Sequence, residues 1–532
     1  MRRWLYPGLL LAALVLRLQG LDWDQGRGLH PDEGNLVRAA AALGPGHWIP
    51  HFHAYNDLAL WMPKLAAEPF CDAGREPCLR TAARVLSALF SATAVWAMAA
   101  ISFRLAGRQA MVATALIAAT SAPLIQWAHF GTTESVLVLL VALLWLQALR
   151  WQRGEISNTG LALTSAILLA AGFGIKTSAL SAAIIPLTAL VAAGRPLGTT
   201  LRTLVWALPL TLVMIVAATP SLIFAGADWL EVMQFERGVV DGSLEVFWTR
   251  QFAVDSGPMF QLRQLWGATE GAGLALATFG LIATAPRYRR ELAPGLAFAI
   301  VYAALCFSWH AAFFRYLAPL FPVVIVLAGV GVAHLLDLGS QTARALSVVA
   351  LALMAITGID LAASYQATDP RVLAEAELRI RAAPTARLAV EPYDTPLTAE
   401  LQTLVLPLED SDPVRLAATL AEAEWMLIAS RRNWAVLPGH PAAPLACAYY
   451  AAIAQGDLGW RPVATFRRAS PFGPLLQPSI ASEETRSVFD RPLVILLRNE
   501  ERLSATTLVD RIAAPPGDCT PAALSAAWER AR

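Results

Sequence analysis

Residues 4–20, WLYPGLLLAALVLRLQG, run straight into residues 21–35, LDWDQGRGLHPDEGN. The first stretch is apolar and long enough to cross a hydrocarbon core about 30 Å thick. The second is the densest polar cluster of the chain. Arg2 and Arg3 precede the apolar stretch as they would in a signal peptide, but Arg17, Leu18, Gln19 and Gly20 offer no small-x-small cleavage site. It therefore reads as an uncleaved anchor, and the polar cluster emerges at a membrane face.

Working outward, ten further apolar runs lie near 82–103, 110–126, 135–149, 161–175, 177–193, 204–224, 272–284, 292–309, 316–336 and 345–363, predicting an all-α polytopic bundle of about eleven transmembrane helices. The composition agrees: 56% of the 532 residues are hydrophobic and 15% charged, with a mean hydropathy of +0.50. Soluble domains carry roughly 25% charge, so a cytosolic enzyme is excluded. With 41 Lys+Arg against 40 Asp+Glu there is no basic excess to hold nucleic acid.

Every second loop is basic: Arg104 with Arg108, Arg150 with Arg153, Arg195 with Arg202, Arg287 with Arg289 and Arg290, then Arg344. Short cytoplasmic loops accumulate Lys and Arg, which puts the N-terminus in the cytoplasm of a plasma (inner) membrane protein. Residues 1–363 then form the transmembrane domain, with external loops 21–81 and 225–266, and 364–532 an extracytoplasmic soluble domain. Strand-length apolar runs at 388–390, 425–429 and 493–497 alternate with helical stretches such as 414–424, predicting an α/β fold for that domain. Glu391, Tyr393 and Asp394 read as a strand end and turn. Cys71 and Cys78 share one external loop at a spacing that can close, whereas Cys447 and Cys519 pair only if the tail brings them together.

Charge at the external ends of the spans carries the chemistry. Asp32 and Glu33 are adjacent carboxylates whose mutual repulsion would raise the pKa of one toward the range useful for proton transfer. Pro31 and Asp32 equally suit the capped start of a helix. Glu134, in His129-Phe130-Gly131-Thr132-Thr133-Glu134, opens onto the same side, where it too could serve a helix N-terminus. Lys176 joins the fifth and sixth spans, and Arg315 with Tyr316 opens the tenth. Each cation alone suits a snorkelling anchor; together with two carboxylates they describe a site for an anionic lipid and a hydroxyl nucleophile.

The ordered set His30 to Glu33, His129 to Glu134, Lys176-Thr177-Ser178-Ala179-Leu180 and Arg315-Tyr316-Leu317-Ala318-Pro319 resembles the GT-C superfamily of polytopic glycosyltransferases, especially its protein O-mannosyltransferase and aminoarabinose transferase-like members. The resemblance covers roughly residues 4 to 340. It implies transfer of a sugar from a polyprenyl-phosphate donor to an acceptor hydroxyl on the external face, with inversion. It implies Asp32 as base, Glu33 as its neighbour in the motif, and Glu134 as the acid that positions acceptor or sugar. Lys176 and Arg315 would hold the lipid phosphate, with Tyr316, His30 and His129 among the substrate-binding residues. A divalent metal ion could sit on Asp32 and Glu134, although oxygen ligands alone would also suit a metal-free base.

Arg250, beside Trp248 and Gln251 in the second external loop, is a candidate lining for a donor cavity. His47, His51 and His53 lack a fourth ligand and read as polar loop surface or acceptor-groove lining. The rival functions are a transporter or flippase of lipid-linked saccharide and a non-catalytic envelope scaffold. The acids here lie at the external ends of spans and no repeat appears, whereas a transporter would place them near mid-membrane on broken, repeated helices. Acceptor identity, whether protein, lipid or glycan, is not encoded in these residues.

Overall fold

The computed structural model describes residues 4–72, 74–194, 197–253, 256–392, 401–429, 431–473 and 483–530. Arg2, Arg3, Arg195, Tyr393 and Asp394 lie outside them. The chain divides into two units: Met1–Asp22, His30–Leu244 and Ser256–Gln366 form the first, and Trp23–Leu29, Glu245–Asp255 and Ala367–Arg532 the second. Two pieces of the loops assigned by sequence to the membrane domain, 23–29 and 245–255, thus belong with the C-terminal unit.

The first unit is helical: α1 (Leu5–Leu18), α2 (Pro31–Ala41), α3 (Asp57–Ala67), α4 (Glu76–Thr120), α5 (Ala122–Ala128), α6 (Glu134–Gln152), α7 (Asn158–Ile175), α8 (Ile184–Ala192), α9 (Leu197–Ala218), α10 (Ser221–Phe224), α11 (Gly226–Asp241), α12 (Gly257–Ala268), α13 (Ala272–Ser308), α14 (Phe321–Asp337) and α15 (Gln341–Ser364). Tight 3-10 turns at Thr177–Ala183 and Phe314–Leu320 lead into α8 and α14. Among the described residues, six helical stretches are long and apolar enough to cross a bilayer, namely α4, α6, α7, α13, α14 with its leading turn, and α15. The chain is an integral membrane protein. Four of the eleven expected spans lie pairwise on α4 and α13, which are broken at Ala106–Gly107 and at Tyr288. Gly107 has φ 76° and ψ −161°, a conformation that a side chain would oppose.

Small residues set the helix crossings, as expected where lipid supplies no hydrophobic drive between helices. A Cβ on Gly280 of α13 would strike the Leu327 carbonyl and Gly331 of α14, and one on Gly358 of α15 would strike the Thr120 carbonyl. A buried cation ties α1 in. Arg17 is fully enclosed and donates to the Ser91 hydroxyl (2.8 Å) and to the carbonyls of Ala13 (2.9 Å), Ala118 (2.9 Å) and Ala119 (3.0 Å). The last two carbonyls belong to the final turn of α4, where the helix dipole favours positive charge. Cys71 and Cys78 are bridged between α3 and α4.

The second unit is α/β. Its helices include α16 (Pro370–Arg381) and α17 (Pro413–Glu422), and its strands are β1 (Arg387–Val390), β2 (Gln402–Val405), β3 (Trp425–Ile428), β4 (Trp460–Phe466) and β5 (Val494–Asn499). The sheet order is β2-β1-β3-β5-β4. The first three strands are parallel, and β5 runs antiparallel to both β3 and β4. Leu388, Met426, Leu427, Ile495 and Leu497 are fully buried between helices on the two faces. Cys447 and Cys519 are bridged, closing a loop of 72 residues.

Candidate active site

Everything in the HPDEG motif follows from how α2 starts. His30 is the N-cap and its Nδ1 accepts from the Glu33 N–H at 3.4 Å, while Pro31 occupies the first turn, where its missing donor is not needed. The two acids that follow diverge because successive helical residues point about 100° apart.

Glu33 turns inward and is fully buried. Its Oε1 accepts from Arg84 Nε at 2.7 Å and from the Gly131 N–H at 2.8 Å, and its Oε2 accepts from Arg84 Nη2 at 2.6 Å. Arg84 also donates to the Leu21 carbonyl at 2.6 Å, so one ion pair locks α2 to α4 and to the loop before α6. A side chain at position 131 would collide with Glu33 Oε1 and Ala83. Glu33, expected from the sequence among the catalytic residues, thus has both oxygens engaged within the protein and ties these segments together. His30, capped onto the helix and tilted against Phe130 at 4.4 Å, serves the same scaffold.

His129, expected among the substrate-binding residues, is likewise held within the protein. It is fully buried, its ring nitrogens lie 2.8 Å from the carbonyls of Ile125 and Gln19, and it stacks on Tyr365 at 3.8 Å. These contacts tie together the ends of α1, α5 and α15. Arg250, with its neighbours Trp248 and Gln251, belongs to the second unit, where it pairs with Glu409 at 3.1 Å and Glu245 at 3.2 Å.

The remaining predicted residues converge. Asp32 faces away from Glu33 and is ion-paired with Arg315, both side chains retaining partial exposure (23% and 16%). The Arg315 guanidinium lies 4.8 Å from the Phe313 ring and 5.8 Å from the Tyr316 ring. The Tyr316 carbonyl accepts from the Tyr302 hydroxyl at 3.1 Å, which anchors the turn that presents both residues. Lys176, the C-cap of α7, sets its ammonium 5.0 Å from the Tyr316 ring and 5.8 Å from the Tyr55 ring. No carboxylate lies within ion-pair distance of it among the described residues.

Glu134 begins α6 and is 3% exposed, yet its carboxylate has no hydrogen-bond or ion-pair partner among the described residues. Burial raises the Tyr55 hydroxyl pKa well above its usual value, and the charges of Glu134, Tyr316 and Glu236 add to the rise. Tyr55 and Glu236 were not singled out as site residues in the sequence. The signal for Glu236 was a carboxylate on the apolar stripe of the helix 226–241; the signal for Tyr55 was slight, since it lies in an irregular loop.

Among the described residues no three His, Cys, Asp or Glu side chains gather in a metal-binding group. His53 is not loop surface: it is 2% exposed, its two ring nitrogens have no hydrogen-bond partner among the described residues, and burial lowers its pKa against the opposing pull of Asp57 and Asp228.

No family model matches the chain, and no curated protein matches it. Solved structures do. ArnT from Cupriavidus metallidurans, bound to undecaprenyl phosphate, superposes with a TM-score of 0.53 at 14% identity, covering 93% of this chain and 98% of that one. This chain has the GT-C fold. Oligosaccharyltransferase AglB from Archaeoglobus fulgidus, solved with an inhibitory peptide and a dolichol-phosphate, gives 0.50 at 12% identity over 89% of this chain and 74% of that one. A GT-C bundle followed by a C-terminal α/β unit is therefore the architecture on which the Asp32–Arg315–Tyr316–Lys176 cluster is mounted.

Proposed function

We propose that this protein transfers a sugar from a polyprenyl-phosphate donor to an acceptor hydroxyl at the outer face of the membrane. The observation that carries the reading is Lys176: an ammonium held between two tyrosine rings, without a carboxylate partner among the described residues, beside a second cation, Arg315. An unpaired cation at the end of a span is expensive to keep unless an anion visits it. Near Lys176 in sequence, Ser178 and Ala179 join Leu140, Leu144, Leu168, Phe298, Tyr302 and Pro319 in lining a small apolar cleft. Two proteins of the same fold were solved with undecaprenyl phosphate and dolichol-phosphate.

The acceptor oxygen attacks the anomeric carbon, its proton passes to Asp32, and the bond from that carbon to the phosphate oxygen breaks on the opposite side with inversion. Polyprenyl phosphate leaves with the bonding pair. Lys176 and Arg315 stabilise it as its charge grows, an effect worth typically about 2.7–4 kcal/mol per preorganised contact. Without donor, Arg315 neutralises Asp32; a phosphate competing for Arg315 frees the carboxylate to act as base. Glu134, at the start of α6, positions hydroxyl groups of acceptor or sugar.

The test is transfer of radiolabelled sugar by purified protein from a panel of polyprenyl-phosphate sugars, with and without EDTA, beside Asp32→Asn and Lys176→Met. Turnover with one donor, lost in both variants, supports the reading, and the EDTA arm reads metal dependence. Absence of turnover with every donor, together with wild-type binding no undecaprenyl phosphate, refutes it.

A further inference from the structure

The helix α11 meets the Lys176 region at several points along its length. Near its start, Trp229 Nε1 donates to Asn56 Oδ1 at 2.9 Å; in its middle, Met233 Sδ accepts from the Thr177 hydroxyl at 3.4 Å; near its end, the Val240 carbonyl accepts from the Ala311 N–H at 3.1 Å. Positions 229, 233, 236 and 240 recur every three or four residues and so share one helix face. All four are partly covered, whereas Leu230, Glu231, Gln234, Phe235 and Arg237 are exposed. Within α11, Glu236 is the one charged side chain on the covered face; Asp228, Glu231, Arg237 and Asp241 lie in solvent.

A carboxylate on a covered face ordinarily has a cation or several N–H donors, because burying it alone is costly. Glu236 has neither among the described residues. Lys176 acts on it electrostatically, but the two are not within ion-pair distance, and burial raises its pKa. Glu134 repeats the pattern: it is 3% exposed and without a hydrogen-bond partner among the described residues, and like Glu236 it acts electrostatically on the Tyr55 hydroxyl. Two carboxylates and a phenol hydroxyl thus accompany the cation Lys176, whose ammonium lies 5.8 Å from the Tyr55 ring, with acceptors in excess of donors. Adjacent hydroxyls of a sugar ring are the donors that such a wall lacks.

We propose that Glu236, with Glu134 and Tyr55, forms the subsite that reads the hydroxyl groups of the transferred sugar, making α11 the carrier of donor specificity. This rests on the transferase reading above. The wall accepts hydrogen bonds from a neutral polyhydroxylated ring and repels a sugar bearing its own carboxylate. A site built to bind substrate hydroxyls discriminates strongly against an analogue lacking them, because its own polar groups are then left unpaired.

Two probes separate the readings: sugar-free undecaprenyl phosphate, and undecaprenyl phosphate bearing neutral hexoses, their deoxy analogues and a uronic acid. Binding of each to the full-length protein in detergent is measured for wild type, Glu236→Gln, Glu236→Ala and Lys176→Met. The expected result is that Glu236→Ala leaves affinity for the sugar-free lipid within about two-fold while weakening the preferred hexose-linked lipid by about ten-fold or more and erasing its advantage over the deoxy analogue. Glu236→Gln, which keeps shape and accepts through one oxygen, falls between. Lys176→Met weakens both probes. Equal loss of both probes in Glu236→Ala, or no loss of either, overturns the subsite while leaving the transferase reading intact. Failure of the wild type to bind either probe overturns both.

Discussion

Arg84 grips Glu33 through two parallel hydrogen bonds, Nε to Oε1 at 2.7 Å and Nη2 to Oε2 at 2.6 Å, in a place solvent does not reach. One residue earlier, Asp32 points to Arg315 at the open site. The two acids of a single motif thus meet different partners, Arg84 for Glu33 and Arg315 for Asp32.

Removing half of a buried pair leaves the other charge uncompensated, at a cost of about 3–5 kcal/mol. Glu33→Gln should therefore lower the thermal unfolding midpoint by several degrees, with the folded fraction retaining most of its turnover per molecule. Full-length protein in detergent, followed by melting and by transfer rate, checks this. An unchanged midpoint with abolished turnover would return Glu33 to the chemistry.

Asp32→Asn keeps the shape of the residue that meets Arg315 but cannot take a proton. Loss of a positioned base typically slows a reaction by about 10²- to 10⁴-fold, and that fall should appear in kcat with undecaprenyl phosphate binding retained. Arg315→Lys, which keeps the charge and loses the planar fork, should fall less steeply. Undiminished kcat in Asp32→Asn would remove the base from the mechanism.

The apolar spans were legible because hydropathy over about 20 residues is a property of the chain itself. Asp32, Glu134, Lys176 and Arg315 stood out because a charge at the end of an apolar run has few cheap explanations. What sequence could not show was who meets whom. Arg84 looked like part of a span, and only its placement 51 residues from Glu33 in sequence yet against it in space reveals the pair. His129 looked like a ligand until both ring nitrogens were found facing carbonyls. Glu236 showed only as a carboxylate on the apolar stripe of a loop helix, and such a helix carries no mark of what covers that stripe. The two spans expected near 82–103 and 110–126 meet in α4 at Gly107, whose conformation is closed to other residues.

Where α13 and α14 cross, Gly280 and Gly331 let the backbones touch. Gly331→Leu must push the helices apart, and no rotamer avoids the Leu276 carbonyl, which lies against the missing Cβ itself. The expected outcome is loss of monodisperse protein in detergent, checked by size-exclusion chromatography. Leu346→Ala on the exposed side of α15, 58% accessible, serves as the control that should change little. Equal behaviour of the two would mean that the crossing tolerates a wider spacing.

In the C-terminal unit, Asp369 caps α16 and is fully buried, accepting from Arg371 Nε at 2.9 Å and from Arg468 Nη2 at 2.8 Å. Burial disfavours its charge, but Arg371 and Arg468 outweigh it and hold the carboxyl below its ordinary range. A depressed carboxyl stabilises the fold at pH above its unfolded pKa of about 3.9, and that stabilisation fades as pH falls toward the lower folded value. Asp369→Asn should accordingly melt earlier than wild type at pH 7, and the gap should narrow steadily as pH drops below about 4. A gap independent of pH would mean that the residue acts through the shape of its cap alone, because Asn can still accept from the first turn of α16 but cannot hold two guanidiniums as a charge does.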